Sequence, residues 1–141
     1  MCYIKKTLEI SASHSLTLSY ESKCTNLHGH NWIITVYCKA KELNADGMVV
    51  DFTIIKKQIQ DVLDHANLNE VLPFNPTAEN IARWITEQIP CCYKVMVQES
   101  EGTVAMYAVD DLFLILISEH TTPYSIWSAV FCLTQNNTSN K

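Results

Sequence analysis

The sequence predicts an α+β fold with four strands and two helices in the order β-β-α-α-β-β. Residues 2–14 and 30–40 alternate between apolar and polar side chains, which is typical of strands with one buried face. Between residues 51 and 90, apolar residues recur twice at three- and four-residue spacing, as they do in amphipathic helices. A second pair of alternating segments, over 93–109, completes the order as a hairpin.

The composition predicts one domain in a chain of 141 residues, with 48% hydrophobic and 18% charged residues. A formal net charge of −5 argues against nucleic acid as a partner, because phosphate backbones attract basic surfaces. The N-terminus lacks the apolar core of a signal peptide, so we expect a cytoplasmic protein. The six cysteines have no zinc-ribbon spacing, and in a reducing cytosol we expect free thiols, most of them small core residues.

Three histidines are expected to converge at one end of the first two strands. His14 ends the apolar face of the first strand, and His28 and His30 open the second. If the strands pair antiparallel, all three imidazoles meet at the same end of that hairpin. His14 taken alone is better explained as a core histidine bonded to a backbone carbonyl. Three together favour a zinc site with three protein ligands and an open position.

The first helix is predicted to begin after Asp51, a good N-cap residue. Its apolar spacing runs to Leu63 and on toward Asp64 and His65. An aspartate beside a histidine can orient and charge the imidazole for acid–base chemistry. However, adjacent residues on a helix do not face each other, so spacing alone favours an exposed, unrelated pair.

The second helix follows Thr77, which can cap it, and ends at Pro90. The hairpin after it turns at Glu101-Gly102. Glu99 is either a solvated strand end or a buried anchor for a polar ligand, and position alone favours the solvated end. The first strand of the hairpin is predicted to carry on one face Tyr93, Val95, Val97 and Glu99.

The tail over residues 111–141 has no functional interpretation. It contains two apolar runs separated by polar residues, and neither reaches the roughly 18 to 20 residues that a membrane helix needs. We therefore expect no membrane association, and a domain boundary near residue 110.

Five ordered segments carry a resemblance to a known family. They are Ala12-Ser13-His14, Cys24-x-x-x-His28-Gly29-His30, Leu63-Asp64-His65-x-x-Leu68-Asn69, Asn75-Pro76-Thr77-x-Glu79 and Val97-x-Glu99. In this order they resemble the 6-pyruvoyl-tetrahydropterin synthase family over about residues 4–109. The three-residue gap between Cys24 and His28 is similar to that of the 6-carboxy-5,6,7,8-tetrahydropterin synthase branch, whereas the pyruvoyl enzymes tend to have a longer gap.

The resemblance implies a zinc site and a catalytic base. His14, His28 and His30 match the family's zinc ligands, with the metal as Lewis acid and template for the side-chain hydroxyls of 7,8-dihydroneopterin triphosphate. Cys24 matches the catalytic cysteine, the base that removes a proton from that side chain.

The same resemblance implies four further site residues. Asp64 and His65 match a dyad that relays or supplies protons, with Asp64 fixing the tautomer and charge of the imidazole. Glu99 matches the carboxylate that grips the amino-pyrimidine edge of the pterin through two parallel hydrogen bonds. Thr77 matches a position that contacts the pterin, although it can also serve as the helix cap alone.

The implied reaction is loss of triphosphate followed by carbon–carbon cleavage, which gives 6-carboxy-5,6,7,8-tetrahydropterin and acetaldehyde for 7-deazaguanine and queuosine synthesis. Two alternatives stay open: the pyruvoyl reaction, and a pterin- or zinc-binding module without turnover. The implied architecture is the tunnelling fold, a four-stranded antiparallel sheet with two helices on one face. Three such chains close a barrel, and two trimers stack into a homohexamer.

Overall fold

The computed structural model describes residues 1–109, so the predicted tail at 111–141 lies outside the described residues. A single 3₁₀ turn, Lys23–Thr25, interrupts the long loop after the first strand. None of the helices within residues 1–109 is long and apolar enough to cross a membrane. The elements in chain order are β1 (Cys2–His14), β2 (His28–Ala40), α1 (Phe52–Leu63), α2 (Leu68–Val71), α3 (Ala78–Gln88), β3 (Cys92–Ser100) and β4 (Thr103–Ala108).

The four strands form one antiparallel sheet in the order β1-β2-β3-β4, which confirms the predicted sheet. β2 begins at His28, two residues before the predicted start. The pairing of β1 with β2 is continuous from Cys2 opposite Ala40 to His14 opposite His28. An unbroken register matters here because a slip of one residue would turn every side chain of a strand to the other face.

The core lies on one face of the sheet, between the strands and the helices. Alternate strand residues are buried, as their apolar–polar pattern predicts, and the apolar stripes of α1 and α3 join them in one cluster. Two helices on one face of the sheet are therefore confirmed. Members of this cluster with no more than 2% exposure include Ile10, Trp32, Ile34, Val36, Ile55, Ile59, Ile81, Ile85, Val95 and Val97.

The two long helices begin where their capping residues predict. The Asp51 carboxylate accepts a hydrogen bond of 2.8 Å from the Thr53 N–H, and the Thr77 hydroxyl accepts one of 3.2 Å from the Asn80 N–H. The one-turn helix α2 was not predicted. It is too short to produce an apolar period, and its cap is the Asn67 side chain.

A bulge in β3 changes the predicted face of Tyr93. Tyr37 pairs with Lys94, but the next pair is Cys38 with Cys92, so Tyr93 is an extra residue in β3. The Tyr93 ring contacts Tyr37, at a centroid distance of 6.4 Å, on the face away from the core. The prediction that Tyr93 shares the apolar face with Val95 is therefore wrong, because alternation cannot reveal an inserted residue.

Candidate metal centre

Three histidines and a glutamate converge at one end of the sheet. Each of His14, His28, His30 and Glu99 offers one ligand atom, and these four atoms lie within 4.8 Å of one another. The register of β1 with β2 explains the approach, since His14 is directly opposite His28 and His30 follows two residues later on the same side. The ring centroids of His14 and His28 are 4.6 Å apart, and those of His28 and His30 are 4.9 Å apart.

Backbone carbonyls fix the orientation of two of the rings. His14 Nδ1 lies 2.8 Å from the Pro76 carbonyl oxygen, and His28 Nδ1 lies 2.7 Å from that of Asn26. A carbonyl can only accept, so in each ring Nδ1 carries the hydrogen and donates it. The lone pair of a neutral ring is then on Nε2, and a second partner of this kind is typical of metal-binding histidines.

Two of the Nε2 atoms are buried and lack a hydrogen-bond partner anywhere in residues 1–109, namely those of His14 and His30. Glu99 Oε1 is 3.3 Å from the first and 3.5 Å from the second, but neither contact has hydrogen-bond geometry. The interpretation of His14 as a core histidine bonded to a backbone carbonyl explains the hydrogen bond of Nδ1. It does not explain why Nε2 is buried without a partner in this part of the chain. Three imidazole nitrogens with an adjacent carboxylate fit Zn²⁺, which binds nitrogen and oxygen ligands.

The environment lowers the pKa of two of the imidazoles, His14 and His30, and so favours their neutral form. Burial lowers the pKa of His14, and the neighbouring His28 adds to this, while the Pro76 carbonyl and Glu99 oppose it. Burial is also the main reason that the pKa of His30 is lowered, against the effect of Glu99. Since only a neutral imidazole can bind a metal, the site favours the competent protonation state.

Glu99 follows Val95 and Val97 on the buried face of β3, at a point where the strand is irregular. Gln98 pairs with Val104 and Ser100 pairs with Thr103, so Glu99 is the extra residue of a bulge beside the hairpin turn. The Glu99 side chain is only 25% exposed. A solvated strand end, which position alone favoured, does not describe this residue.

Asp64 and His65 form a pair because the helix ends before them. α1 ends at Leu63, Asp64 is extended, and His65 has a positive φ of 58°. His65 Nδ1 lies 3.1 Å from Asp64 Oδ1, so the interpretation as an unrelated pair is wrong. The same oxygen accepts a 2.9 Å hydrogen bond from the Ser11 N–H, which is the main reason that the pKa of Asp64 is lowered.

The His65 ring is 82% exposed and lies outside the four-residue cluster. It lines, together with His30 and Ser11, an open depression of about 450 Å³ beside β1. The chain therefore presents this pair on its surface, next to the metal centre and not within it.

Cys24 and Thr77 are placed by local backbone contacts. Cys24 is exposed in the 3₁₀ turn, where its carbonyl accepts a 2.8 Å hydrogen bond from the Leu16 N–H. Within the described residues, it makes no hydrogen bond to Asp64 or His65. The hydroxyl of Thr77 caps α3, so its structural role is visible and its contact with a ligand stays a prediction.

Two asparagines whose role the sequence did not predict hold the loop after His14. The Asn69 side chain accepts from the Ser15 N–H at 2.7 Å and donates to the Ser15 carbonyl at 2.8 Å. Asn75 makes the same pair of bonds with Thr17, at 2.9 and 3.0 Å. Each side-chain amide thus bonds both the N–H and the carbonyl of one loop residue, as a neighbouring strand would. In a sequence, asparagines near helices indicate only turns and caps. The hydrogen-bond partners of these two side chains therefore could not be identified from the sequence.

Comparison with known proteins agrees with this geometry. The chain is 34% identical over 121 residues to a 6-carboxy-5,6,7,8-tetrahydropterin synthase of Synechocystis, covering 76% of this chain and 93% of that one. It is 32% identical over 130 residues to a 6-pyruvoyl tetrahydrobiopterin synthase of Poecilia reticulata, covering 74% and 88%. The structure of the Caenorhabditis elegans 6-pyruvoyl tetrahydropterin synthase superimposes with a TM-score of 0.62 at 26% identity, covering 77% and 96%.

A family model described as 6-pyruvoyl tetrahydropterin synthase matches residues 3–110. The sheet with helices on one face and the cluster of three histidines are the features that this match spans. The chain therefore belongs to the 6-pyruvoyl tetrahydropterin synthase family.

Proposed function

We propose that this protein is a zinc-dependent carbon–carbon lyase that converts 7,8-dihydroneopterin triphosphate to 6-carboxy-5,6,7,8-tetrahydropterin, with release of acetaldehyde and triphosphate. The observation that carries the proposal is the pair of buried Nε2 atoms of His14 and His30 that lack a hydrogen-bond partner within residues 1–109, at the end of the sheet where His14 pairs with His28. The product would serve 7-deazaguanine and queuosine synthesis in the cytoplasm. The domain responsible would span residues 1–110.

His14, His28 and His30 would hold Zn²⁺, which when bound supplies Lewis acidity to the hydroxyls of the substrate side chain. The rings of His14 and His28 are already oriented by the carbonyls of Pro76 and Asn26. No rearrangement of these two rings is needed before the metal binds, and preorganised ligands of this kind raise affinity.

Cys24 would act as the base that takes a proton from the substrate side chain, from an exposed position in its turn. Asp64 Oδ1 lies 3.1 Å from Nδ1 of His65, so Nε2, the other ring nitrogen, is the atom that would exchange a proton with the substrate. Glu99 would accept two hydrogen bonds from the N–H groups of the pterin. Thr77 would contact the pterin beside its helix cap.

The carboxy reaction is favoured by the three-residue gap between Cys24 and His28 and by the name of the Synechocystis relative. The alternative is the pyruvoyl reaction, which eliminates triphosphate and leaves the carbon chain intact, and the name of the Poecilia relative supports it. A pterin- or zinc-binding module without turnover is less favoured, since a binder does not need Cys24, Asp64 and His65.

The proposed assembly is a trimer whose three sheets close a barrel, or two such trimers stacked as a homohexamer. β1 and β4 are the edges of the sheet, and unpaired edges promote association with further strands. β4 also exposes apolar side chains, with Val104 at 49% and Met106 at 59%. Closure would bring surface groups of one chain, such as the Asp64–His65 pair, beside the metal centre of a neighbour.

The proposed reaction predicts acetaldehyde and a 6-carboxy pterin when the zinc-loaded protein is incubated with 7,8-dihydroneopterin triphosphate. Mass spectrometry identifies the pterin, and an enzymatic assay quantifies the aldehyde. A pyruvoyl product without acetaldehyde would assign the alternative reaction, and unchanged substrate would favour the binding module.

The control for this assay is Cys24→Ala, which should keep the fold and the zinc and lower turnover by about 10²- to 10⁴-fold, the usual contribution of a general base. Circular dichroism and metal analysis check the first two points. A variant with nearly full activity would remove Cys24 from the mechanism.

His28→Ala should lower zinc affinity by at least about 100-fold, because the loss of one of three imidazoles is more severe than the loss of an outer partner. Metal analysis of the purified protein after dialysis against a weak chelator measures this. The matched control is His65→Ala, which removes an exposed imidazole outside the cluster and should leave zinc content unchanged. Equal zinc in both variants would refute the ligand assignment.

Glu99→Gln should raise the dissociation constant for the pterin about 10- to 100-fold, because a charge-assisted pair of hydrogen bonds is lost while size is kept. Isothermal titration with a stable pterin on zinc-loaded protein gives the value. Zinc content should stay unchanged. A loss of zinc with unaltered pterin affinity would show instead that the carboxylate is a fourth metal ligand.

The full chain should sediment as a trimer or hexamer at micromolar concentration, since association would bury the sheet edges that residues 1–109 leave open. Sedimentation equilibrium measures the mass directly. A monomer that retains full activity would contradict both the barrel and the proposal that neighbouring chains complete the site.

A further inference from the structure

A pair of cysteines faces each other across the two central strands, far from the metal centre. Cys38 on β2 is directly opposite Cys92 on β3. This pairing exists because Tyr93 is bulged out of register, which brings Cys92 rather than Tyr93 opposite Cys38. Directly opposed residues of antiparallel strands have Cα atoms about 4.5 or 5.5 Å apart. Both values lie within the range that a disulfide bridges.

The two thiols interact in a partly open environment. Cys38 is fully buried, Cys92 is half-buried against the same core, and both are free thiols. Their side chains are hydrogen-bonded to each other, and Cys92 Sγ also lies 3.6 Å from the Lys94 carbonyl oxygen. Cys92 is therefore the more accessible residue of the pair, and Cys38 is enclosed by the core.

The pKa shifts also distinguish the two thiols, and they favour Cys92 as the more reactive one. The hydrogen bond from Cys38 lowers the pKa of Cys92 in spite of its burial. The same hydrogen bond, together with burial, raises the pKa of Cys38. Burial raises the pKa of the adjacent Cys91 to about 12, so this neighbour does not compete with Cys92 as the first nucleophile. Since the thiolate is the reactive form, Cys92 is the thiol suited to attack first.

We propose that Cys38 and Cys92 form a reversible cross-strand disulfide when the protein meets a hydroperoxide. Cys92 sulfur attacks the peroxide oxygen, the O–O bond breaks, and sulfenic acid and one water are formed. Cys38 sulfur then attacks the Cys92 sulfur and expels the hydroxyl as a second water. The two thiols lose two electrons in total, which reduce one hydrogen peroxide to two waters. A dithiol reverses the bond by exchange.

The disulfide would stabilise the chain without touching the metal centre. Cys38 is eight residues from His30 along β2, which is roughly 26 Å at the rise of a strand. The bond would close a loop that contains all three helices and would restrict the unfolded chain. We expect the oxidised protein to melt about 5–15 °C higher than the reduced one.

The test is peptide mapping of the full-length protein after treatment with stoichiometric hydrogen peroxide and alkylation of the remaining thiols. Tryptic cleavage leaves Cys24 and Cys38 in one peptide and Cys91 and Cys92 in another. The mapping is therefore done on Cys24→Ser/Cys91→Ser, in which each peptide keeps one cysteine. A cross-link between these peptides that dithiothreitol removes, with the expected melting shift, supports the proposal.

The matched control adds Cys38→Ala to the same background. It should abolish the cross-link and leave Cys92 as a sulfenic acid that dimedone traps. The unsubstituted chain, mapped by fragmentation of the same peptides, keeps the test valid if a variant fails to fold. Oxidation that produces no Cys38–Cys92 bond in either the double variant or the unsubstituted chain overturns the proposal.

Discussion

The register between β1 and β2 is the constraint on which the rest of the site depends. It places His14 opposite His28 and leaves His30 two residues further along β2, so that three imidazoles share one end of the sheet. A slip of one residue would send His14 to the opposite side from its partners. The buried residues of both strands resist such a slip, because it would also expose Ile10, or Ile34 on the other strand. The core therefore secures the metal centre.

Segments of irregular backbone place further polar groups near the three histidines. Glu99, the extra residue of a bulge in β3, lies within 3.5 Å of Nε2 of His14 and His30. His65 meets Asp64 because the chain leaves α1 and adopts a positive φ. The Asn69 and Asn75 amides fasten the loop that follows His14 through four hydrogen bonds to its backbone. Each of these irregular backbone segments places a polar group beside or within the site. Irregular and strained backbone is commonly found at functional sites.

A single chain does not gather all the parts of the proposed mechanism into one cluster. Within residues 1–109, the group of four residues that could hold a metal ion contains neither Cys24 nor His65, and both of these are exposed. The open edges of the sheet and the apolar surface of β4 suit an assembly in which one chain completes the site of another. The same association would cover the edges. Assembly and catalysis would then depend on the same contacts.

The sequence by itself determined the strands, the two long helices, their buried faces and the end of the sheet at which the histidines meet. These follow from period and capping, which are local. The tertiary structure alone decided which carbonyl holds His14, since Pro76 is distant in the chain, and hence that its Nε2 stays unpartnered. It also decided the bulges at Tyr93 and Glu99, because an extra residue in one strand is defined only against its partner.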